Sequence, residues 1–138
     1  MRDTTLIRGS AAVYLVLHAI VHVVGFLSAW RLSDFKDAPY TTLVLNGTLD
    51  VGDTGMRILG LLWLVGAAAF VVAAIATWRG RASAIRVVAA AALVSIVICI
   101  VGLPAAAIGL GIDVALLAVL AMLEVVRAAA TRPAVSGA

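Results

Sequence analysis

An all-α membrane bundle of four spans is the fold this sequence predicts, and three observations predict it. The chain of 138 residues is 64% hydrophobic and only 12% charged, against about 25% charged in an average protein. A soluble fold of this length could not clothe so apolar a core with so few charges, so a bilayer is the solvent that fits. The apolar residues fall into four runs, each near the roughly 20 residues a helix needs to cross hydrocarbon. The basic residues cluster at the ends of those runs. The net charge of +3 therefore reads as membrane topology and not as a nucleic-acid footprint. The single cysteine, Cys99, excludes an internal disulfide.

The spans are expected at about 10–30, 57–78, 84–103 and 105–126 within one transmembrane domain. Trp30 and Trp78 close the first two spans, where interfacial rings belong. Pro104 separates the last two, because proline cannot continue a helix normally. Arg2 and Arg8 precede the first span, Arg79, Arg81 and Arg86 lie between the second and third, and Arg127 and Arg132 follow the fourth. Arg31, Lys36 and Arg57 lie on the other side with Asp34, Asp37, Asp50 and Asp53. The positive-inside rule then expects a multi-pass protein of the cytoplasmic membrane with both termini inside. A cleaved signal peptide starting at Arg2 and Arg8 is a poorer match, since the apolar stretch is long and lacks a clear A-x-A site.

The outer loop, 31–56, contains TTLVLNGTLDV. Asn46-Gly47 is a preferred pair for a type I′ turn, which predicts a β-hairpin setting Leu45 against Thr48 and Leu43 against Asp50. A lone hairpin is marginal in water, so it should pack on the outer mouth of the bundle. Asn46-Gly47-Thr48 also matches a glycosylation sequon, a chance match in a tight turn. Asp50 to Gly55 is too short for an EF-hand loop and lacks its closing Glu. The simpler reading is a turn with Asp53 or Thr54 capping the second helix.

Ionisable groups inside spans are costly and are functional candidates by default. Here they are His18, His22 and Asp113, with Cys99 and Ser95 as weaker polar groups, while Glu124 and Arg86 lie near span ends and can snorkel. His18 and His22, four residues apart, share a helix face with Ala11, Leu15, Gly25 and Ala29. That stripe should face protein. By helical rise, Asp113 lies outside the centre of its span, level with His22 and Cys99. A direct His22–Asp113 contact is the expectation. Two small-residue stripes, Ala107-Gly111-Ala115 and Ala91-Ser95-Cys99, suit close helix contact inside the bundle or in a homo-oligomer.

Several functions follow. The leading one is a binding or transport protein whose polar pocket, open to the outer half, takes a small molecule, a proton or a metal. Its ligand-binding candidates are His18, His22, Asp113, Cys99 and Arg57. Histidines at i, i+4 can chelate one ion, and His18, His22 and Asp113 would be the metal ligands. The alternative is an intramembrane acid–base enzyme acting on a lipid or hydrophobic substrate, with His22 as acid or base and Asp113 as its orienting partner. No nucleophile motif or phosphate loop names a reaction. The third reading is an accessory subunit whose histidines are interhelical polar glue. Haem within one chain would need histidines on separate spans, and the other spans have none. The partners expected are the lipid bilayer and a hydrophobic small molecule, and no cofactor is named by these residues.

LHAIVHVVGFLSAW, PYTTLVLNGTLDVGDTGMRILGLLWLVGAAAF and GLPAAAIGLGIDVALLAVL together resemble a family of small four-span bacterial (actinobacterial-like) membrane proteins of uncharacterised function. The resemblance covers most of the chain. It implies a four-helix fold and a bacterial host, and it transfers no activity. The residues it highlights are His18, His22, Arg57 and Asp113.

Overall fold

The computed structural model describes residues 2–36 and 39–131, with only the backbone of Arg2 and Asp3. The side chain of Arg2, and Asp37 and Arg132, which entered the charge argument, lie outside the described residues. The elements in order are α1 (Arg2–Ala29), β1 (Leu43–Val44), β2 (Leu49–Asp50), α2 (Gly52–Trp78), α3 (Ala84–Val101) and α4 (Ala107–Ala130). All four helices are long and apolar enough to cross a membrane. The chain is a multi-pass helical bundle with a small hairpin.

The helices and the hydropathic spans differ at their edges, for a physical reason. Helix α1 starts at Arg2 instead of Ser10, and α4 runs on to Ala130 instead of Val126. Backbone hydrogen bonding continues through polar residues that no longer belong in hydrocarbon. Helix α2 starts at Gly52 instead of Arg57, which shortens the outer loop. The expected cap by Asp53 or Thr54 is not used. Val51 is the N-cap residue and makes no side-chain cap bond, while Asp53 sits in the first turn. The Asp50 carboxylate accepts the Gly52 N–H at 2.9 Å, and that bond holds the Asp50 carboxyl below its ordinary value. Between α3 and α4 the chain turns over 102–106, around Pro104.

The hairpin has the expected pairing of Leu43 with Asp50, next to Val44 with Leu49, while Leu45 and Thr48, expected as a pair, fall in the turn between the strands. Asn46 (φ 58°) and Gly47 (φ 80°) supply the left-handed pair of a type I′ turn. Leu45 is also left-handed, at φ 51°. The cost of that conformation in a branched residue is offset by docking. The Leu45 N–H donates to the Val101 carbonyl at 2.9 Å, and the Asn46 N–H to the Leu103 carbonyl at 3.0 Å. The hairpin thus satisfies carbonyls that the end of α3 leaves without helical partners.

Packing runs in chain order: α1 on α2, α2 on α3, α3 on α4. The buried side chains form two apolar clusters. One, toward the arginine-rich end, includes Leu15, Phe70, Ala73, Val88 and Ala92. The other, toward the hairpin end, includes Ala29, Val44, Leu59, Trp63 and Ile98. Along every helix a polar or bare position falls at the join: His18 and His22 on α1, Gly66 on α2, Ser95 on α3 and Asp113 on α4. The α3 stripe Ala91-Ser95-Cys99 is buried inside the bundle. The α4 stripe Ala107-Gly111-Ala115 faces outward.

Candidate functional site

The polar layer is built from four helices. The expected α1 stripe faces inward, with Leu15, His18, His22 and Ala29 buried. Helix α2 brings no polar group to this level and instead makes room. A Cβ on Gly66 would stand 2.5 Å from His22 Cδ2, so only a bare backbone lets the imidazole lie there. Trp63 seats similarly over Gly25, where a Cβ would stand 2.5 Å from the indole. Phe70 meets His18 edge-on, with ring centroids 4.4 Å apart. Trp63 meets His22 edge-on at 5.3 Å. The two aromatics bracket the histidines, one from each apolar cluster.

The expected direct contact between His22 and Asp113 is replaced by two others. His18 Nε2 lies 2.9 Å from Asp113 Oδ1. His22 Nε2 reaches Ser95 Oγ at 2.8 Å, and the Ser95 hydroxyl is hydrogen-bonded to Asp113 Oδ2. The depth estimate was right to about one helical turn, but the neighbouring histidine on the same face takes the carboxylate. Ser95, read from sequence as a weak polar group, is the bridge. Its place in a small-residue stripe next to Cys99 was the available signal. Cys99 Sγ stands 3.8 Å from Ser95 Oγ and 3.9 Å from Asp113 Oδ2, at the edge of the cluster. Ser95 and Asp113 are fully enclosed, and His22 is 1% exposed.

Counting protons restricts what this cluster can be. His22 Nδ1 faces the His18 carbonyl at 3.1 Å. A carbonyl only accepts, so Nδ1 carries a hydrogen. Ser95 has one hydroxyl hydrogen for two partners. If it donates to His22 Nε2, Asp113 must be protonated and donate to Ser95. If it donates to an Asp113 carboxylate, His22 must be imidazolium and donate from Nε2. Both states satisfy every bond in the chain, and they interconvert by shifting one proton along each of two hydrogen bonds.

One contact lies outside this proton chain. His18 Nε2 and Asp113 Oδ1 are both buried, close, and without an aligned hydrogen bond. Buried polar groups left in that condition are rare and call for a reason.

A cavity of about 470 Å³ opens beside the layer. Its inner end is formed by His18, His22 and Cys99, and its outer end by Phe35, Lys36, Pro39 and Thr41 of the loop. Gly102 and Gly109 keep its walls on the α3–α4 side low. The volume lies in the range of small-molecule sites. Arg57 has no part in it. That residue is exposed near the start of α2, where its carbonyl accepts the Trp30 indole N–H at 3.1 Å. The expectation that His18, His22 and Asp113 chelate a metal also meets a different geometry. Both His22 nitrogens are engaged by protein partners. Among the described residues no group of three His, Cys, Asp or Glu side chains is arranged to hold an ion.

A second polar group sits at the hairpin end. Asp53 Oδ1 accepts Arg31 Nη2 at 2.7 Å and the Tyr40 hydroxyl at 2.5 Å, and the Arg31 guanidinium lies 4.0 Å over the Tyr40 ring. The hydrogen bond to Asp53 raises the Tyr40 phenol above its ordinary value.

Comparison with known proteins finds no similar one: no protein family, no curated protein and no solved structure matches the chain.

Proposed function

We propose that this chain is a binding or transport protein of a bacterial cytoplasmic membrane, with both termini inside. Its outer cavity takes a small, mostly apolar molecule that carries one hydrogen-bonding head. The arginine-rich end opposite the aspartate-bearing loop supports that orientation. The observation that carries the function is the cavity ending on the buried histidines. Its walls are mostly apolar, with Ser28, Lys36 and Thr41 toward the mouth and His18, His22 and Cys99 at the floor. A ligand with an oily body and one polar tip matches such walls.

Two features favour a working site over polar glue. A purely structural network satisfies all its members, because an unpaired buried polar atom costs about 1–3 kcal/mol. Here His18 Nε2 and Asp113 Oδ1 approach to 2.9 Å without an aligned hydrogen bond. The cluster also has two hydrogen-bond arrangements of equal bond count and equal proton number, so a ligand that prefers one of them shifts the cluster toward it with no net proton uptake. The acid–base enzyme is the less supported reading, since His22 presents no free ring nitrogen to the cavity.

The probe is 4-pentylphenol, with its methyl ether as the comparison, added to the purified full-length chain while thermal unfolding is followed. The phenol should raise the melting temperature saturably, and the ether less. Gly109→Leu, at a lining position where a Cβ would stand 3.3 Å from Cys99 Sγ, should abolish the rise. No saturable response to either compound, or an undiminished one in Gly109→Leu, would overturn the reading.

A further inference from the structure

We propose that the opposite, arginine-rich end of the bundle holds the phosphate of an anionic phospholipid. A second cavity, of about 490 Å³, lies there among the first turns of α1, the α2–α3 turn and the last turns of α4. Three guanidinium groups from three separate segments line it: Arg8, Arg81 and Arg127. Arg127 has an acidic neighbour, Glu124, at 3.4 Å. Among the described residues Arg8 and Arg81 have no carboxylate partner, so two cations converge on a space without an anion. The backbone is shaped to permit this. Gly80, at φ +60°, lies against the Arg8 guanidinium in a place where any Cβ would overlap it.

Two further observations favour a lipid over a free aqueous ion. The walls below the arginines are apolar, formed by Ile85, Leu116 and Leu120, and the two leucines pack onto the hydrophobic core. A solvated phosphate gains nothing from such walls, whereas the start of an acyl chain does. Thr77 also lines the cavity, and its buried hydroxyl has no hydrogen-bond partner. It can donate to a phosphate or glycerol oxygen at the level where polar head and apolar chain meet. Guanidinium forks suit phosphate oxygens, and basic pockets between membrane helices on the inner side recognise such headgroups. This site is at the far end from the outer cavity, and its failure would leave the proposal for that cavity standing.

The test is lipid binding to the full-length chain in zwitterionic detergent, read by native mass spectrometry. Phosphatidylglycerol should bind at least about tenfold tighter than phosphatidylcholine with the same chains, as expected from more than one cation near the headgroup. Each arginine removed should weaken it roughly fivefold. Arg8→Gln with Arg81→Gln should therefore lose about 30-fold, while melting without added lipid stays as in the parent. Arg8→Lys with Arg81→Lys keeps the charge and should stay within about fivefold. Equal binding of the two lipids, or parent affinity in the glutamine variant, would overturn the proposal. Displacement of phosphatidylglycerol by millimolar inorganic phosphate would overturn the lipid as the source.

Discussion

The chain builds nearly the same constellation twice. Asp113 meets a histidine and the Ser95 hydroxyl in the middle of the bundle. Asp53 meets Arg31 and the Tyr40 hydroxyl at the hairpin end. In each, an aspartate shares a hydrogen bond with a hydroxyl and lies within 3 Å of a basic nitrogen. The surroundings are opposite. Asp113 has no exposed surface, whereas the side chains of Arg31 and Asp53 are 58% and 60% exposed. Water replaces any partner that Asp53 loses. Nothing replaces one that Asp113 loses. The lesson is that dielectric, more than the identity of the groups, decides what such a cluster is worth.

The largest expected effect is on Asp113. Asp113→Ala strips the partner from His18 and Ser95 and should cost about 3–5 kcal/mol, the range for breaking a buried pair. Asp53→Ala should stay within about 1 kcal/mol. Equilibrium unfolding in mixed micelles measures both, and equal losses would break the comparison.

A smaller effect probes how the inner cluster is held. Gly66→Ala changes no polar group, but its new methyl meets His22. Pushing the ring off Ser95 should cost about 1–3 kcal/mol, the usual range for overpacking. The same substitution at Gly47, where a Cβ meets nothing within 4 Å, carries only the strain of its positive φ. If Gly66→Ala unfolds like the parent, the bare backbone is not what seats His22.

The smallest effect is a titration at the outer cluster. The bond to Asp53 raises the Tyr40 phenol above 10.0, so the folded chain prefers neutral Tyr40. The sign follows: the contribution to stability is complete below the unfolded value and is lost as pH rises through the higher folded one. Ultraviolet titration of Tyr40 should show a midpoint above 10 that falls in Asp53→Asn. An unchanged midpoint would mean that the bond does not form in solution.

Much of this was legible in the residues, and the outer hairpin shows why. Its register follows from Asn46-Gly47 and the alternation beside it, both local. What docks it was not legible, because the Val101 and Leu103 carbonyls lie more than fifty residues away. The inward α1 stripe was legible from helical period. Ser95 was not, since a serine in an apolar helix looks the same whether it bridges two charges or bonds its own backbone. Gly66 carried no chemical signal at all, and its role exists only against the His22 ring.

By itself the sequence determined the four apolar helices, their order, the charge asymmetry of their ends and the polar residues placed in them. Hydropathy and helical period are properties of neighbours along the chain, and they set length and face without reference to a partner. The tertiary structure alone decided which histidine meets Asp113, that Ser95 joins the other, and that cavities open at both ends. Those depend on how far each helix is turned and slid against the next. A single turn of slippage, about 5.4 Å, separates His18 from His22, and side-chain packing across four helices sets that offset.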